Sequence, residues 1–452
     1  MRMNIYIKDL LLFLMFFSVL FFPWFIVNGL KVNDLEIQSE DTIPALFLPV
    51  ALLKDKTIYL DNYYQMMLER YPHPDDKKAT LGLTPYYLRK VDKHYLSAFP
   101  IMASLLSIPV YFIGFLLGAD VSWESLVFLS RFSAALIIAL CGMLMKKIGE
   151  YFLSNKKAAL LSFVFVFATV NFASISQALW QHGVLELFSL LGVYFLLNSN
   201  KNERNLILSG LFFGFALISR PTGILPYILL YPFIFSFYKL KGISRYFIGS
   251  LLPIAFFLFY NQVFYMGISN QGYSNQVLDS WKTPFYLGFL GMFLSPSKGI
   301  LVYSPVFIFS LVGFYRLLKE NTYSKLEKNL FIFAAIVAFL HISIVSMWKH
   351  WYGGWSFGYR MASDILPYLS LLLIPYFSSE IYEKSKKYFY AVLIWSVGIE
   401  LMGIAFFDSV WHAAYDRGYK NQWWLWSLQN SEIVFNIKRV LVKLKLINVV
   451  LP

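Results

Sequence analysis

Ala98-Phe-Pro-Ile-Met-Ala-Ser-Leu-Leu-Ser-Ile-Pro-Val-Tyr-Phe-Ile-Gly-Phe-Leu-Leu-Gly118 is long and apolar enough to cross a bilayer, yet it carries Pro100 and Pro109. Whether it crosses decides the sidedness of everything after it. Eleven other apolar runs stand at 9–30, 125–146, 157–176, 182–199, 205–219, 222–238, 246–265, 301–318, 329–348, 364–379 and 388–407. Put the N-terminus in the cytoplasm and 98–118 in the interface. Eighteen cations then fall in inside loops: Arg2, Lys8, Lys146, Lys147, Lys156, Lys157, Lys201, Arg204, Lys239, Lys241, Arg245, Arg316, Lys319, Lys325, Lys328, Lys384, Lys386 and Lys387. The short outside loops hold five: Arg220, Lys282, Lys298, Lys349 and Arg360. If 98–118 crossed, this positive-inside bias would reverse. The run therefore reads as a re-entrant or juxtamembrane helix. The fold class is an all-α polytopic membrane protein of eleven transmembrane helices, twelve if 98–118 also crosses.

Composition agrees. Of 452 residues, 58% are hydrophobic, 19% aromatic and 14% charged, with a mean hydropathy of +0.57. Soluble chains run nearer 45–50% apolar and about 25% charged. A cytosolic enzyme, a disordered chain and a secreted disulfide scaffold are excluded. The single Cys141 makes neither an internal disulfide nor a Cys-based zinc site. The net charge of +13 is interspersed between apolar runs, which encodes topology and headgroup contact rather than nucleic-acid binding. The first apolar run lacks a small-residue cleavage site and reads as a retained helix.

One membrane domain over 1–452 is the simplest organisation. The first extracytoplasmic loop, 31–124, holds juxtamembrane helices, and the tail 408–452 holds an amphipathic helix. In that helix, 434–450, Lys438, Arg439, Lys443 and Lys445 interleave with apolar residues and suit a lipid surface, with Trp423-Trp424-Leu425-Trp426 as an interface anchor. No repeat of 20–50 residues is visible, which argues against a transporter built on inverted repeats. All-helical spans point to a plasma or inner membrane rather than an outer-membrane barrel.

The polar segments gather outside: 31–124, 266–300, 349–363 and the tail from Asp408. The first of them carries Asp34, Glu36, Glu40 and Asp41 within eight positions. Ser39 or Asp41 would cap an amphipathic stretch, Ala45 to Leu53. The acids are then either a solvated helix cap or a carboxylate held at the membrane surface as a general base.

An acidic pair after the first span, the helix Ala45-Leu-Phe-Leu-Pro-Val-Ala-Leu-Leu-Lys-Asp55, and a Pro-containing apolar helix before the second span resemble the GT-C superfamily. The chain is similar in particular to the dolichyl- or polyprenyl-phosphate-mannose-dependent mannosyltransferases of glycosyltransferase family 39 and their prokaryotic relatives. Further segments share the likeness: Leu179-Trp-Gln-His-Gly183, Ser219-Arg-Pro-Thr-Gly223, Ser295-Pro-Ser-Lys-Gly299 with Tyr303-Ser-Pro305, and Trp351-Tyr-Gly-Gly-Trp-Ser-Phe-Gly-Tyr-Arg360 followed by Asp364. The resemblance implies a GT-C-like bundle, a polyprenyl-phosphate-linked sugar donor, a loop carboxylate as base, and inversion at the anomeric carbon. Its acidic pair falls on Glu40-Asp41, with Asp41 as the base and Glu40 on the acceptor or a metal. Well-known members have Asp-Glu where this chain has Glu-Asp, so which of the two is the base stays open.

The residues support that chemistry on their own terms. A polyprenyl phosphate leaves well once its charge is met by cations or donors. Arg220 stands at the outer end of a helical hairpin, Lys298 in a Ser-Pro-Ser-Lys-Gly turn whose amides would share a phosphate, and Arg360 in a Gly- and Trp-rich loop four residues before Asp364. Each alone is as well explained by snorkelling to lipid phosphates. Arg131 lies about two turns inside the second helix, where an unpaired charge is costly, and Glu186 and Glu400 are intramembrane acids. Gln181 and His182 begin a helix beside Trp180, suiting a sugar contact or an interfacial cap. Gly353-Gly354 between Trp351 and Trp355 makes a close-approach loop suited to stacking on a sugar ring. No His, Cys or Asp spacing fits a metal site, and no resident cofactor is implied, although a divalent cation held by Glu40 or Asp41 stays open.

The expectation is thus a membrane enzyme that moves one sugar from a polyprenyl-phosphate carrier to an acceptor hydroxyl on a protein, lipid or glycan, on the extracytoplasmic face. Its other partners are membrane lipids, and nucleic acid is excluded. The alternatives are a lipid-linked saccharide flippase or transporter, and a polysaccharide ligase or polymerase.

Overall fold

The computed structural model describes residues 2–29, 37–268, 280–319 and 322–448. Asp34, Glu36 and residues 269–279 of the 266–300 loop lie outside them. The chain is 72% helix and 2% strand. Among the described residues six helices are long and apolar enough to cross a membrane: Tyr6–Val27, Trp123–Gly149, Pro221–Phe264, Lys325–Val345, Arg360–Ser378 and Glu380–Phe406. The third covers two expected spans, and its helix breaks where Lys239 adopts φ 55°, in the stretch read as their basic connecting turn. The run 157–176 forms Asn155–Phe167 and Val170–Gln177, bent by 52°. The runs at 182–199 and 205–219 are helices of 18 and 15 residues, outside the six. That at 301–318 is interrupted at Ser304-Pro305, as a proline lacking its N–H dictates.

The chain divides into two compact units, each assembled from separated stretches. One unit comprises Glu36–Ile138 and Ser176–Ser280; the other Met1–Leu35, Ala139–Ile175 and Trp281–Pro452.

The unit beginning at Glu36 contains the first loop. Ser39 caps the turn Glu40–Thr42, its hydroxyl accepting from the Asp41 amide at 3.3 Å. The helix that follows, Ile43–Val50, is buried on every side, so the amphipathic reading of 45–53 is corrected: its residues are apolar all round, and it packs as a core helix. Asp76 accepts backbone N–H bonds from Thr80, Leu81 and Leu83 and so holds the descent into a hairpin, Leu88–Val91 with His94–Ser97. The run 98–118 becomes a helix over Met102–Leu116, starting after Pro100 and including Pro109. At 15 residues it is shorter than any of the six.

In the same unit Asn205–Ser219 packs against Ile224–Phe264 with glycines at the contact. A Cβ on Gly210 would lie 1.9 Å from the Tyr246 carbonyl oxygen, and one on Gly249 1.9 Å from that of Ile207. Backbones meet there because no side chain intervenes, as small residues allow between apolar helices.

In the other unit the first helix is tied by charge. Asp9 takes Lys146 at 2.8 Å and Lys147 at 2.6 Å, and Glu150 pairs with both lysines. A Cβ on Gly142 would come within 2.9 Å of Phe16. Asp9 facing Lys146 and Phe16 facing Gly142 make the first helix antiparallel to the end of Trp123–Gly149.

Gly210→Val and Gly249→Val should each destabilise the protein by at least about 2 kcal/mol, since the backbone carbonyl opposite cannot rotate away. Thermal unfolding in detergent reads this, and a variant that melts with the wild type would show that the two helices separate freely.

Candidate functional site

Site residues from the sequence fall into two groups, one in each unit. In the unit beginning at Glu36, the Ser39 turn presents Glu40 and Asp41 side by side. The Asp41 carboxylate accepts from the Tyr86 hydroxyl at 2.8 Å, across 45 residues of chain. Glu40 is more enclosed: burial, reinforced by the negative charge of Asp41, raises its carboxyl above the usual 4.5. Glu40 thus holds its proton more tightly than a free carboxyl, beside an Asp41 oriented by Tyr86. Such a pair suits acid–base chemistry.

The two candidate arginines of this unit are buried and paired. Arg131 donates to the Gln177 side-chain oxygen at 3.4 Å. Arg220 leaves helix Asn205–Ser219 in extended backbone and donates to His182 Nε2 at 3.0 Å. A guanidinium has no acceptor, so His182 must receive with Nε2 unprotonated and carry its proton on Nδ1. Gln181 and His182 begin helix Gln181–Asn198, with Glu186 one turn further on and fully buried. A guanidinium held by a neutral imidazole keeps its whole positive charge for an anion.

The second group surrounds Lys298. The turn Ser295–Gly299 spends its amides internally: Ser297 and Lys298 donate to the Ser295 hydroxyl, and Gly299 to the Ser295 carbonyl. The expected phosphate cradle is therefore corrected, because those amides are already satisfied. The Lys298 side chain is 0% exposed and lies 3.3 Å from Glu432, itself 1% exposed. It also donates to the Ser356 carbonyl and to His412 Nε2, the latter at 3.1 Å, and sits over the Trp411 ring. Glu432 gathers further donors, Tyr303 at 3.0 Å and the Gly358 amide at 3.4 Å. Burial pushes the Lys298 ammonium down against the pull of Glu432, and pushes the Glu432 carboxyl up against that of Lys298. His412 is driven well below its ordinary value by burial and by the charge on Lys298, so it accepts as a neutral ring.

This cluster fixes the Gly- and Trp-rich loop. Arg360 donates to the Gly353 carbonyl at 2.8 Å, and Trp351 to Gln422 at 2.8 Å. Asp364 is buried in the turn Arg360–Ile365. Trp355 alone of residues 351–360 is exposed, and its indole N–H donates to Asp416 at 2.8 Å.

Sequence reasoning missed Tyr86, Gln177, His412, Asp416 and Glu432. The only local signal near Glu432 was Ser431, which caps helix Glu432–Lys443 and suggests a solvated first-turn acid. Among the described residues no three of His, Cys, Asp or Glu gather as a metal would require. No protein-family model, curated protein or solved structure matches the chain.

Lys298→Met should cost about 3–5 kcal/mol by stranding the Glu432 carboxylate, whereas Lys298→Met with Glu432→Gln should recover much of the loss. Chemical denaturation of the two variants compares them directly; equal losses would mean the pair is not coupled. For Glu40 the sign is opposite. The fold favours its protonated form, so ionisation erodes stability as pH rises through 4.5. Glu40→Gln should melt higher than the wild type at pH 7, with the difference vanishing below about pH 4.

Proposed function

We propose that the chain is a GT-C-type membrane glycosyltransferase related to family 39, moving one sugar from a polyprenyl-phosphate carrier to an acceptor hydroxyl on the extracytoplasmic face. The observation that carries this reading is the pair Glu40-Asp41, with Asp41 fixed by Tyr86, in the same compact unit as the buried Arg131 and the Arg220–His182 pair. Asp41 takes the acceptor's hydroxyl proton as that oxygen attacks the anomeric carbon. The bond from that carbon to the phosphate oxygen breaks on the opposite face, inverting the centre. The carrier leaves as a phosphate whose added charge Arg220 and Arg131 neutralise. Within the other unit, Lys298 holds the loop that bears Trp355 and Arg360.

Eleven crossings with the N-terminus in the cytoplasm complete the reading. The Asp9–Lys146 pair supports it: residues 9 and 146 side by side are what two crossings between them, with 98–118 in the interface, would give. A plasma or inner membrane is the site of action, and a protein, lipid or glycan the acceptor. Glu186 and Glu400, buried within helices, are what a proton-coupled lipid-linked saccharide transporter would use, and they make it the second reading.

Purified protein supplied with radiolabelled polyprenyl-phosphate sugars and mixed acceptors should transfer sugar, and Asp41→Asn should lower the rate about 100-fold or more with normal expression. Glu40→Gln should lose less. Full activity of Asp41→Asn would remove the base assignment; donor binding without turnover in the wild type would favour the transporter. Assays with and without a chelator report whether a divalent cation at Glu40 or Asp41 assists.

A further inference from the structure

The Gly- and Trp-rich loop is buried and cross-braced except at one ring. Gly353 and Gly354 adopt φ +88° and +60°, conformations that strain any residue with a side chain, and turn the chain so that Trp355 stands at the tip. The loop beneath cannot yield: the Gly353 carbonyl accepts from Arg360 and Ser356, and the Ser356 carbonyl from Lys298. One face of Trp355 lies on the His412 ring, 6.0 Å away at 28° between planes. His412 is fully buried, so that face points inward, and the 48% of Trp355 left exposed belongs to its other face and edge. On the edge, the indole N–H is taken by Asp416 Oδ2 at 2.8 Å, while Asp416 Oδ1 is aligned by the Gly418 amide at 2.7 Å.

We propose that Trp355 and Asp416 form a saccharide-binding platform, the ring stacking on the apolar face of a pyranose and the carboxylate accepting from its hydroxyls. This rests on the glycosyltransferase reading and names a saccharide contact for it. The π-face is negative and meets the weakly positive C–H bonds of a sugar's apolar face, while each Asp416 oxygen keeps a second lone pair for a hydroxyl donor. An interfacial belt tryptophan differs on both counts. It sends its N–H toward headgroups and lays its ring among acyl chains. Here the N–H is spent inside the protein, and a carboxylate, a poor neighbour for acyl chains, borders the free face. Because the ring is already locked, stacking on it forfeits little side-chain entropy.

The test is saturation-transfer NMR on the full chain in nanodiscs, with methyl α-mannopyranoside, methyl β-glucopyranoside and methyl β-galactopyranoside as free probes and a short-chain polyprenyl-phosphate hexose as a lipid-linked one. At least one probe should bind saturably, with protons of one ring face receiving most transfer. Trp355→Ala should weaken that binding about tenfold, Trp355→Phe less, and Asp416→Asn by a similar factor, all with unchanged melting. Loss confined to the free glycosides assigns the platform to the acceptor; loss confined to the lipid-linked probe assigns it to the donor sugar. The proposal is overturned by no saturable binding of any probe, or by binding unchanged in Trp355→Ala and Asp416→Asn. It is equally overturned if headgroup-depth brominated lipid quenches the wild type more than Trp355→Phe, which would place the ring in lipid. Binding is read without turnover and should survive in Asp41→Asn. Intact binding without transfer thus counts against the transferase alone, and transfer without binding against the platform alone.

Discussion

Lys298 and Glu432 meet where neither side chain touches solvent, and the arrangement of their unit follows from that meeting. An ammonium taken from water loses several kcal/mol of hydration unless a partner and further acceptors replace it. The carboxylate is one such partner; the Ser356 carbonyl and a neutral His412 are the others. Each comes from a different stretch of chain, so satisfying one charge draws the Ser295–Gly299 turn, the 351–360 loop and the tail into register. Glu432, needing donors in turn, takes the Gly358 amide from that same loop and the Tyr303 hydroxyl from the helix after the turn. The other unit obeys the same rule with different partners, Gln177 for Arg131 and His182 for Arg220.

Against that background of satisfied charge, the groups left accessible stand out. Asp41 is oriented by Tyr86 and still presents a carboxylate, whereas its neighbour Glu40 is drawn toward its protonated form. Trp355 keeps a free face over a loop that has been immobilised from below.

How legible this was depends on sequence distance. Long apolar runs announce themselves, and the six helices that are long enough to span all coincide with them. The Glu40-Asp41 pair and its Ser39 cap are local and could be read directly. Ile43–Val50 was misjudged because Lys54 and Asp55 beyond it made the stretch look two-faced, although residues 43–50 are apolar on all sides. Glu432 was beyond reach for another reason: its partner is 134 residues away, and an acid in the first turn of a capped helix looks solvated. Tyr86, 45 residues from Asp41, is likewise one tyrosine among 31 until the fold selects it.

The separation between Lys298 and Glu432 also has a meaning in time. A ribosome adding roughly 5–20 residues per second needs on the order of 7–27 s to cover the 134 residues between them. Throughout that interval the lysine has been made and its carboxylate has not. The nascent unit must therefore keep its centre wet, with the Gly- and Trp-rich loop unbraced, until the helix Glu432–Lys443 emerges. Emergence of the helix Glu432–Lys443 thus becomes the event that expels water and sets the loop, and a chain truncated before it would carry an open, hydrated core for proteolytic surveillance to find.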